Sequence, residues 1–133
     1  MRMLVVFARE PRPGKVKTRL LPLFSADECA RLYRAFVRDT LRICRRADCE
    51  RRVIAYEAGG GSPGFLRRAA CKLIFVRQRG GDLGRRMHNA FVWSRAQGAD
   101  ETVIIGSDTP DLCAGLVDRA FLTLETHDGV IGP

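Results

Sequence analysis

The sequence has no long apolar run and no close pair of cysteines. Its apolar stretches fall well short of the roughly 20 residues that a membrane-spanning helix needs, and the run after the first residues is too short for a signal peptide. The five cysteines are irregularly spaced, without the C-x-x-C pairs that zinc sites and redox motifs use. We therefore expect a cytoplasmic protein without a membrane span, whose cysteines are reduced and mostly buried as small apolar residues.

Lysine and histidine are scarce as well. The chain has 3 lysines and 2 histidines against 20 arginines, and its net charge is +8. An arginine excess often reflects genomic base composition, so it is not by itself a functional sign. The charge is compatible with a phosphate-bearing ligand and, more weakly, with nucleic acid. With 133 residues, 46% of them hydrophobic, the chain is long enough for one domain with its own core.

Two common glycine-rich phosphate motifs are missing. Gly14 and Lys15 lie in a loop, 9–20, but Val16 occupies the position where a Walker A loop needs Ser or Thr, and no glycine lies five residues before Gly14. The chain has no G-x-G-x-x-G either, which argues against a dinucleotide-binding Rossmann domain.

What the sequence does contain is an alternation of short apolar runs and helical patterns. The predicted strands cover 3–8, 52–57, 72–77 and 101–107, and a fifth strand is expected to start at 129–132. The predicted helices cover about 26–46, 62–70, 85–97 and 113–124. Such alternation predicts an α/β domain, 1–133, with a mostly parallel sheet and helices on both of its faces.

Two of the predicted helices are amphipathic. The first begins with a capping box of Ser25 and Glu28. Its apolar face is predicted to contain Leu32, Tyr33, Phe36, Val37, Leu41, Ile43 and Cys44, opposite a stripe of arginines. The apolar side of the 85–97 helix is predicted to contain Met87, Ala90, Phe91 and Trp93.

The loop after the first strand is the strongest candidate binding element. Parallel sheets bind ligands beyond the carboxyl ends of their strands, and this loop leaves the sheet there. Cations and free backbone N–H groups in a glycine-containing turn suit a pyrophosphate. The candidate phosphate-binding residues in it are Arg9, Gly14, Lys15, Lys17, Thr18 and Arg19. The alternative is a solvated basic loop.

An acidic turn, DTPDL, follows the fourth strand at the same edge. Asp108 is a candidate ligand for Mg²⁺ or Mn²⁺, because such ions commonly use one or two carboxylates together with substrate phosphates. Asp111 is either a second ligand or the cap of the next helix, and the alternative for Asp108 is an Asx turn or a helix cap.

The loop after the third strand, QRGGDLGRRM, shares this edge. Its candidate phosphate-binding residues are Gln78, Asp82 and Arg86. Asp82 can also cap the next helix, and Arg86 either contacts phosphate or lies on a solvated face.

Three segments together resemble one family: FAREPRPGKVKTRL, QRGGDLGRRM and IIGSDTPDL, in this order. They look like the bacterial glycosyltransferase A family, formerly a domain of unknown function (DUF2064), some members of which are associated with arsenosugar biosynthesis. The resemblance implies a Rossmann-like GT-A fold of three α/β/α layers, with Lys17, Thr18 and Arg19 near the nucleotide phosphates. It also implies that Asp108 is the metal-binding carboxylate.

The sequence departs from that family in three places. Arg9 stands where the family usually has Lys, and Arg85 stands where it usually has an acidic residue, which puts the role of that loop in doubt. The family also continues after the segment resembling DGVIGP into a D-G-G-Y stretch, so the chain is expected to be a C-terminally truncated transferase domain or an inactive one.

The resemblance favours a glycosyltransferase that uses a nucleotide-sugar donor and a divalent metal. One alternative is a nucleotidyltransferase that activates a small metabolite with an NTP. Another is a non-catalytic, arginine-rich module that binds nucleic acid; we consider it the weakest, because the arginine stripe has no aromatic platform beside it in the sequence. No acceptor base is identifiable, with His88 and His127 as weak candidates. Catalytic residues, donor sugar, acceptor and oligomeric state stay open.

Overall fold

The computed structural model describes residues 1–133, which form four strands, four α-helices and one 3-10 turn. The strands are β1 (Arg2–Arg9), β2 (Arg51–Glu57), β3 (Ile74–Arg77) and β4 (Glu101–Gly106). The helices are α1 (Ala26–Arg46), α2 (Gly64–Ala69), α3 (Leu83–Ala96) and α4 (Ala114–Leu124), and the 3-10 turn is Thr18–Leu20.

All four strands are parallel, in the order β3-β2-β1-β4. β1 is central, and its residues Met3, Leu4 and Val5 are fully buried. This agrees with its continuous apolar sequence, because a parallel strand covered on both faces has no solvent-facing side to alternate with. The parallel arrangement brings the carboxyl ends of all four strands to one edge of the sheet.

Helices cover both faces of the sheet, so the predicted three-layer α/β/α architecture is confirmed. On one face, Leu4, Val6 and Ala8 of β1 belong to a core of 16 buried residues shared with α1, α2 and α4. On the other face a smaller core of five buried residues packs against Trp93 of α3.

The capping box at the start of α1 is confirmed. The Ser25 hydroxyl accepts a hydrogen bond from Glu28 N–H at 3.1 Å, and the Glu28 carboxylate accepts one from Ser25 N–H at 3.2 Å. The buried face of the helix contains Cys29, Ala30, Tyr33, Val37, Thr40, Leu41 and Cys44. Leu32, which was predicted on this face, is 39% exposed.

Two strand predictions were wrong, one in its extent and one in its existence. β3 begins at Ile74 and not at residue 72, since Lys72 adopts a left-handed φ of 74° that interrupts an extended chain. The fifth strand predicted at 129–132 does not form: this segment pairs with no strand, and Ile131 is 97% exposed. A short apolar segment becomes a strand only where it finds a hydrogen-bonding partner.

The apolar side of α3 was also mispredicted. Met87 and Phe91 are 36% and 43% exposed, while the helix buries Ser94 and half-buries Ala90 and Trp93. α3 crosses from β3 over β2 and β1 to β4, and on this side the sheet core is small. The helix therefore turns a narrow strip of small residues, with Trp93, toward the sheet.

The cysteines are free, but the prediction that most are buried holds only in part. Cys29 and Cys44 are buried, Cys49 is half-buried, and Cys71 and Cys113 are exposed. None of the helices combines the length and the apolar character that a bilayer crossing would take.

Candidate functional site

The candidate residues lie at the carboxyl edge of the sheet. The β1 loop, 9–20, and the turn after β4, 107–113, are neighbours there because β1 and β4 pair directly. The β1 loop is anchored by Val16, which is 4% exposed and belongs to the main core.

The centre of this edge is an ion pair between Lys17 and Asp108. Lys17 Nζ contacts Asp108 Oδ1, which joins the basic loop to the acidic turn. The ammonium also lies 4.5 Å from the centroid of the Phe36 ring, a cation–π contact. Lys17 has a left-handed backbone with φ 52°, which is uncommon for a residue with a side chain. Such strain persists only where surrounding contacts hold it.

A buried tyrosine positions both sides of this pair. Tyr33 of α1 accepts a hydrogen bond from Arg9 N–H at 2.8 Å and shares another with the Ser107 hydroxyl at 2.7 Å. Ser107 is 5% exposed and immediately precedes Asp108. Burial raises the pKa of the Tyr33 phenol, so it is protonated at neutral pH. The phenol therefore links the end of β1 to the turn after β4.

The other candidates of the β1 loop lie near the same edge but make fewer contacts with the rest of the protein. Gly14 has the positive φ, 79°, that its predicted turn requires. Lys15, Thr18 and Arg19 are exposed, and their side chains form no hydrogen bond or ion pair within the protein. The Arg9 guanidinium is 3.8 Å from the Glu57 carboxylate at the end of β2. Arg9 is thus the one cation of this loop, apart from Lys17, that already has a carboxylate partner.

The β3 loop, 78–82, is held by its own predicted ligand residues. Gln78 Nε2 donates to Ala55 O at 2.8 Å, and Arg86 donates to Gly80 O at 3.1 Å and, more weakly, to Gln78 Oε1 at 3.4 Å. The Arg86 guanidinium thus braces the loop, and its contact with phosphate stays a prediction. No hydrogen bond or ion pair joins this loop to Lys17 or Asp108.

The three acidic candidates differ in the contacts that they make. Asp82 caps α3, since its Oδ1 accepts from Arg85 N–H at 2.8 Å. Asp111 does not cap α4, whose N-cap is Cys113 without a side-chain hydrogen bond. Asp108 accepts no backbone hydrogen bond, so the Asx turn considered for it does not form.

The side chains at this edge can hold a divalent cation only together with a ligand that supplies further oxygen atoms. No group of three His, Cys, Asp or Glu side chains is arranged to hold a metal. Asp108 is 58% exposed and is the single carboxylate at the pair. Mg²⁺ binds through one or two carboxylates when phosphates and waters complete its coordination. Asp108 fits that mode, and Lys17 would then exchange its carboxylate for a phosphate oxygen.

Three residues of the edge were not predicted from sequence: Tyr33, Ser107 and Glu10. Glu10 is 9% exposed and accepts hydrogen bonds from Phe65 N–H at 2.6 Å and Leu66 N–H at 3.2 Å, which fixes the start of α2 against the β1 loop. A tyrosine on a buried helix face was the available signal, because a buried phenol needs a partner. Its partners could not be identified without the fold.

Comparisons with known proteins agree with this architecture. The crystal structure of a protein from Desulfovibrio desulfuricans G20, described as a "putative nucleotide-diphospho-sugar transferase", superposes with a TM-score of 0.86 at 35% sequence identity. The match covers 94% of this chain and 55% of that protein, so the chain spans about half the length of its relative. No curated protein matches the chain.

A family comparison covers most of the chain. Residues 40–133 match the profile of a family described as "Uncharacterized protein conserved in bacteria (DUF2064)". The matched span contains β2, β3, β4 and the Asp108 turn. The chain belongs to this bacterial DUF2064 family.

Proposed function

We propose that this chain binds the diphosphate of a nucleotide-activated sugar at the carboxyl edge of its sheet, as the donor-binding part of a glycosyltransferase. The observation that carries the proposal is the contact between Lys17 and Asp108, which unites the basic loop and the acidic turn in one place. The description of the structural relative as a nucleotide-diphospho-sugar transferase supports the same chemistry.

The basic and acidic residues of this edge have different roles in the proposal. Lys17 and Arg19 neutralise phosphate oxygens, and the Thr18 hydroxyl and the backbone near Gly14 add hydrogen-bond donors. Arg19 and Thr18 have no partner within the protein, so binding a phosphate breaks no existing side-chain contact of theirs. A Mg²⁺ or Mn²⁺ ion held by Asp108 would offset the charge that develops on the leaving diphosphate.

The test is calorimetric titration of the chain with UDP, GDP, ADP and CDP, each with and without Mn²⁺. We expect at least one of them to bind, and to bind more tightly with Mn²⁺. Lys17→Met should weaken binding roughly tenfold, as expected for the loss of one charge-assisted contact. Asp108→Asn should remove the Mn²⁺-dependent gain and leave metal-free binding intact.

Matched controls are Arg119→Gln on α4 and Asp128→Asn, exposed positions outside the edge. They change the same charges and should leave the dissociation constant within about twofold. If none of the nucleoside diphosphates binds in the presence of Mn²⁺, the proposal is wrong. The corresponding NTPs and nucleotide sugars are titrated in the same way; if the NTPs bind and the nucleotide sugars do not, the site is that of a nucleotidyltransferase.

A further inference from the structure

A second cationic site lies outside the carboxyl edge, in a groove between α1 and α2. Arg34 and Arg38 of α1 line it, together with Phe65, Arg68 and Ala69 of α2, and this open hollow has a volume of about 460 Å³. A further hollow of about 240 Å³ adjoins it and shares Arg38 and Ala69. We call the two together the arginine groove.

No carboxylate neutralises the cations that line the larger hollow. Arg34, Arg38 and Arg68 form none of the ion pairs of the molecule and donate no hydrogen bond. The other two arginines of the groove are engaged, Arg42 with Asp39 and Arg45 with Ala69 O. Three arginines that line one hollow without a counter-charge repel one another, and a bound anion would relieve that repulsion.

Arg34 also has a hydrogen-bond donor without a partner. Its Nε is shielded from solvent and has no hydrogen-bond acceptor, which costs free energy in a native structure. The guanidiniums of Arg34 and Arg38 lie 5.6 and 5.3 Å from the centroid of the Phe65 ring. Cation–π contact thus holds the two guanidiniums in place while leaving their hydrogen-bond donors unused.

We infer that the arginine groove binds an anion with two or more linked phosphate groups. Guanidinium groups bind phosphate through paired N–H donors. One phosphate occupies one or two arginines, whereas this groove presents three cations from two helices and extends along α1 toward Arg45. Arg34 and Arg38 both contact the Phe65 ring, which disfavours the stacking of a nucleobase on it. These features favour a compact polyphosphate over a nucleic-acid strand.

The test uses inorganic tripolyphosphate, titrated calorimetrically at about 0.15 M NaCl, where nonspecific attraction is largely screened. The double variant Arg34→Gln/Arg38→Gln should bind at least tenfold more weakly. Arg31→Gln/Arg46→Gln is the matched control, because it removes two exposed charges from the same helix outside the groove. It should change the affinity less than about twofold.

A third double variant, Lys17→Met/Arg19→Gln, separates this groove from the carboxyl edge. If it alone abolishes binding, the edge is the only phosphate site and the inference is overturned. Equal loss in both α1 doubles would show general charge attraction and would also overturn it. Should Arg34→Gln/Arg38→Gln misfold by circular dichroism, Arg68→Gln at an exposed α2 position repeats the test.

Nucleic acid is tested in competition. The competitor is a 20-base-pair duplex. If the groove is a nucleic-acid site, the duplex binds with the same dependence on Arg34 and Arg38, and tripolyphosphate competes with it poorly. Tighter, groove-dependent binding of the duplex would therefore overturn the inference. Binding of tripolyphosphate with no detectable duplex binding at the same salt would support it.

Discussion

At the scale of single residues, Tyr33 has more consequence for the carboxyl edge than any cation there. Its phenol connects the backbone at the end of β1 with Ser107, next to Asp108. Lys17 and Asp108 face each other because these two segments are held at a defined distance. A buried residue outside the Lys17–Asp108 pair thus sets the geometry of the candidate site.

Tyr33→Phe should destabilise the fold by about 1–3 kcal/mol, since it leaves the buried Ser107 hydroxyl and the part-buried Arg9 N–H without their partner. Urea unfolding measures the loss. Tyr56→Phe is the matched control, because Tyr56 is half-buried and its hydroxyl makes no hydrogen bond within the protein; it should stay within about 0.5 kcal/mol of wild type. Equal stability of the two variants would show that the Tyr33 network contributes nothing.

The buried thiol of Cys44 makes the stability of the fold decrease at alkaline pH. Burial raises the pKa of this thiol to about 11. Below the pKa of the unfolded thiol, near 8.5, both states are protonated; above it the unfolded chain loses the proton first, so stability falls as pH rises toward 11. The contribution of this residue approaches about 1.4 kcal/mol per pH unit in that window.

Cys44→Ala should flatten this dependence, although it costs about 1 kcal/mol at pH 7 through the cavity it leaves. The measurement is urea unfolding at half-unit steps from pH 8 to 10.5. Cys71→Ala, at an exposed position, should keep the wild-type slope. Parallel curves for wild type and Cys44→Ala would show that the buried thiol does not titrate as described.

At the scale of elements, the β3 loop depends on a glycine for its shape. Gly80 has φ 139°, and a β-carbon there would lie 2.8 Å from Arg86 N and 2.9 Å from Arg85 Cβ. The Arg86 guanidinium bonds to Gly80 O in the same turn. The loop and the first turn of α3 are therefore packed against each other too closely for a side chain.

Gly80→Ala should lower the free energy of unfolding by about 2 kcal/mol, since it combines an unfavourable φ with a steric clash. It should also increase hydrogen exchange at the first turn of α3. Gly81→Ala is the control: a β-carbon there has no atom within 4 Å, and its φ is not positive. If Gly81→Ala is as destabilising as Gly80→Ala, the clash is not the cause.

Elements whose stability is local could be predicted from the sequence. The capping box of α1 needs only Ser25 and Glu28, and β1 is recognisable because its residues are apolar without alternation. The segment 129–132 and the face of α3 could not be predicted, because both depend on what lies beside them. Apolar periodicity shows that a face can be buried, and the neighbouring elements decide whether it is.

The same division applies to the candidate site. That Lys17 and Asp108 lie at one edge follows from parallel strands and could be predicted. The hydrogen bonds of Gln78 and Arg86 depend on the exact path of a glycine-rich loop, so their bracing role could not. Whether these residues bind phosphate stays a prediction.

At the scale of the whole molecule, the charge balance opposes compactness. The chain carries +8 and has eight ion pairs, most of which involve at least one well-exposed side chain. Such pairs contribute between about 0 and 1 kcal/mol each. Unpaired arginines, in contrast, repel one another across the folded surface, and folding brings them closer together.

Salt should therefore stabilise this protein. Raising NaCl from about 10 mM to 300 mM shortens the range of the repulsion between arginines more than it weakens the exposed ion pairs, and should raise the melting temperature by roughly 3 °C. Arg34→Gln/Arg38→Gln and Arg31→Gln/Arg46→Gln both lower the net charge to +6, so both should reduce this gain. A melting temperature that falls with salt would mean that the ion pairs, such as Lys17–Asp108, outweigh the repulsion. If only Arg34→Gln/Arg38→Gln reduces the salt-induced rise in melting temperature, the repulsion arises in the arginine groove and not from the net charge.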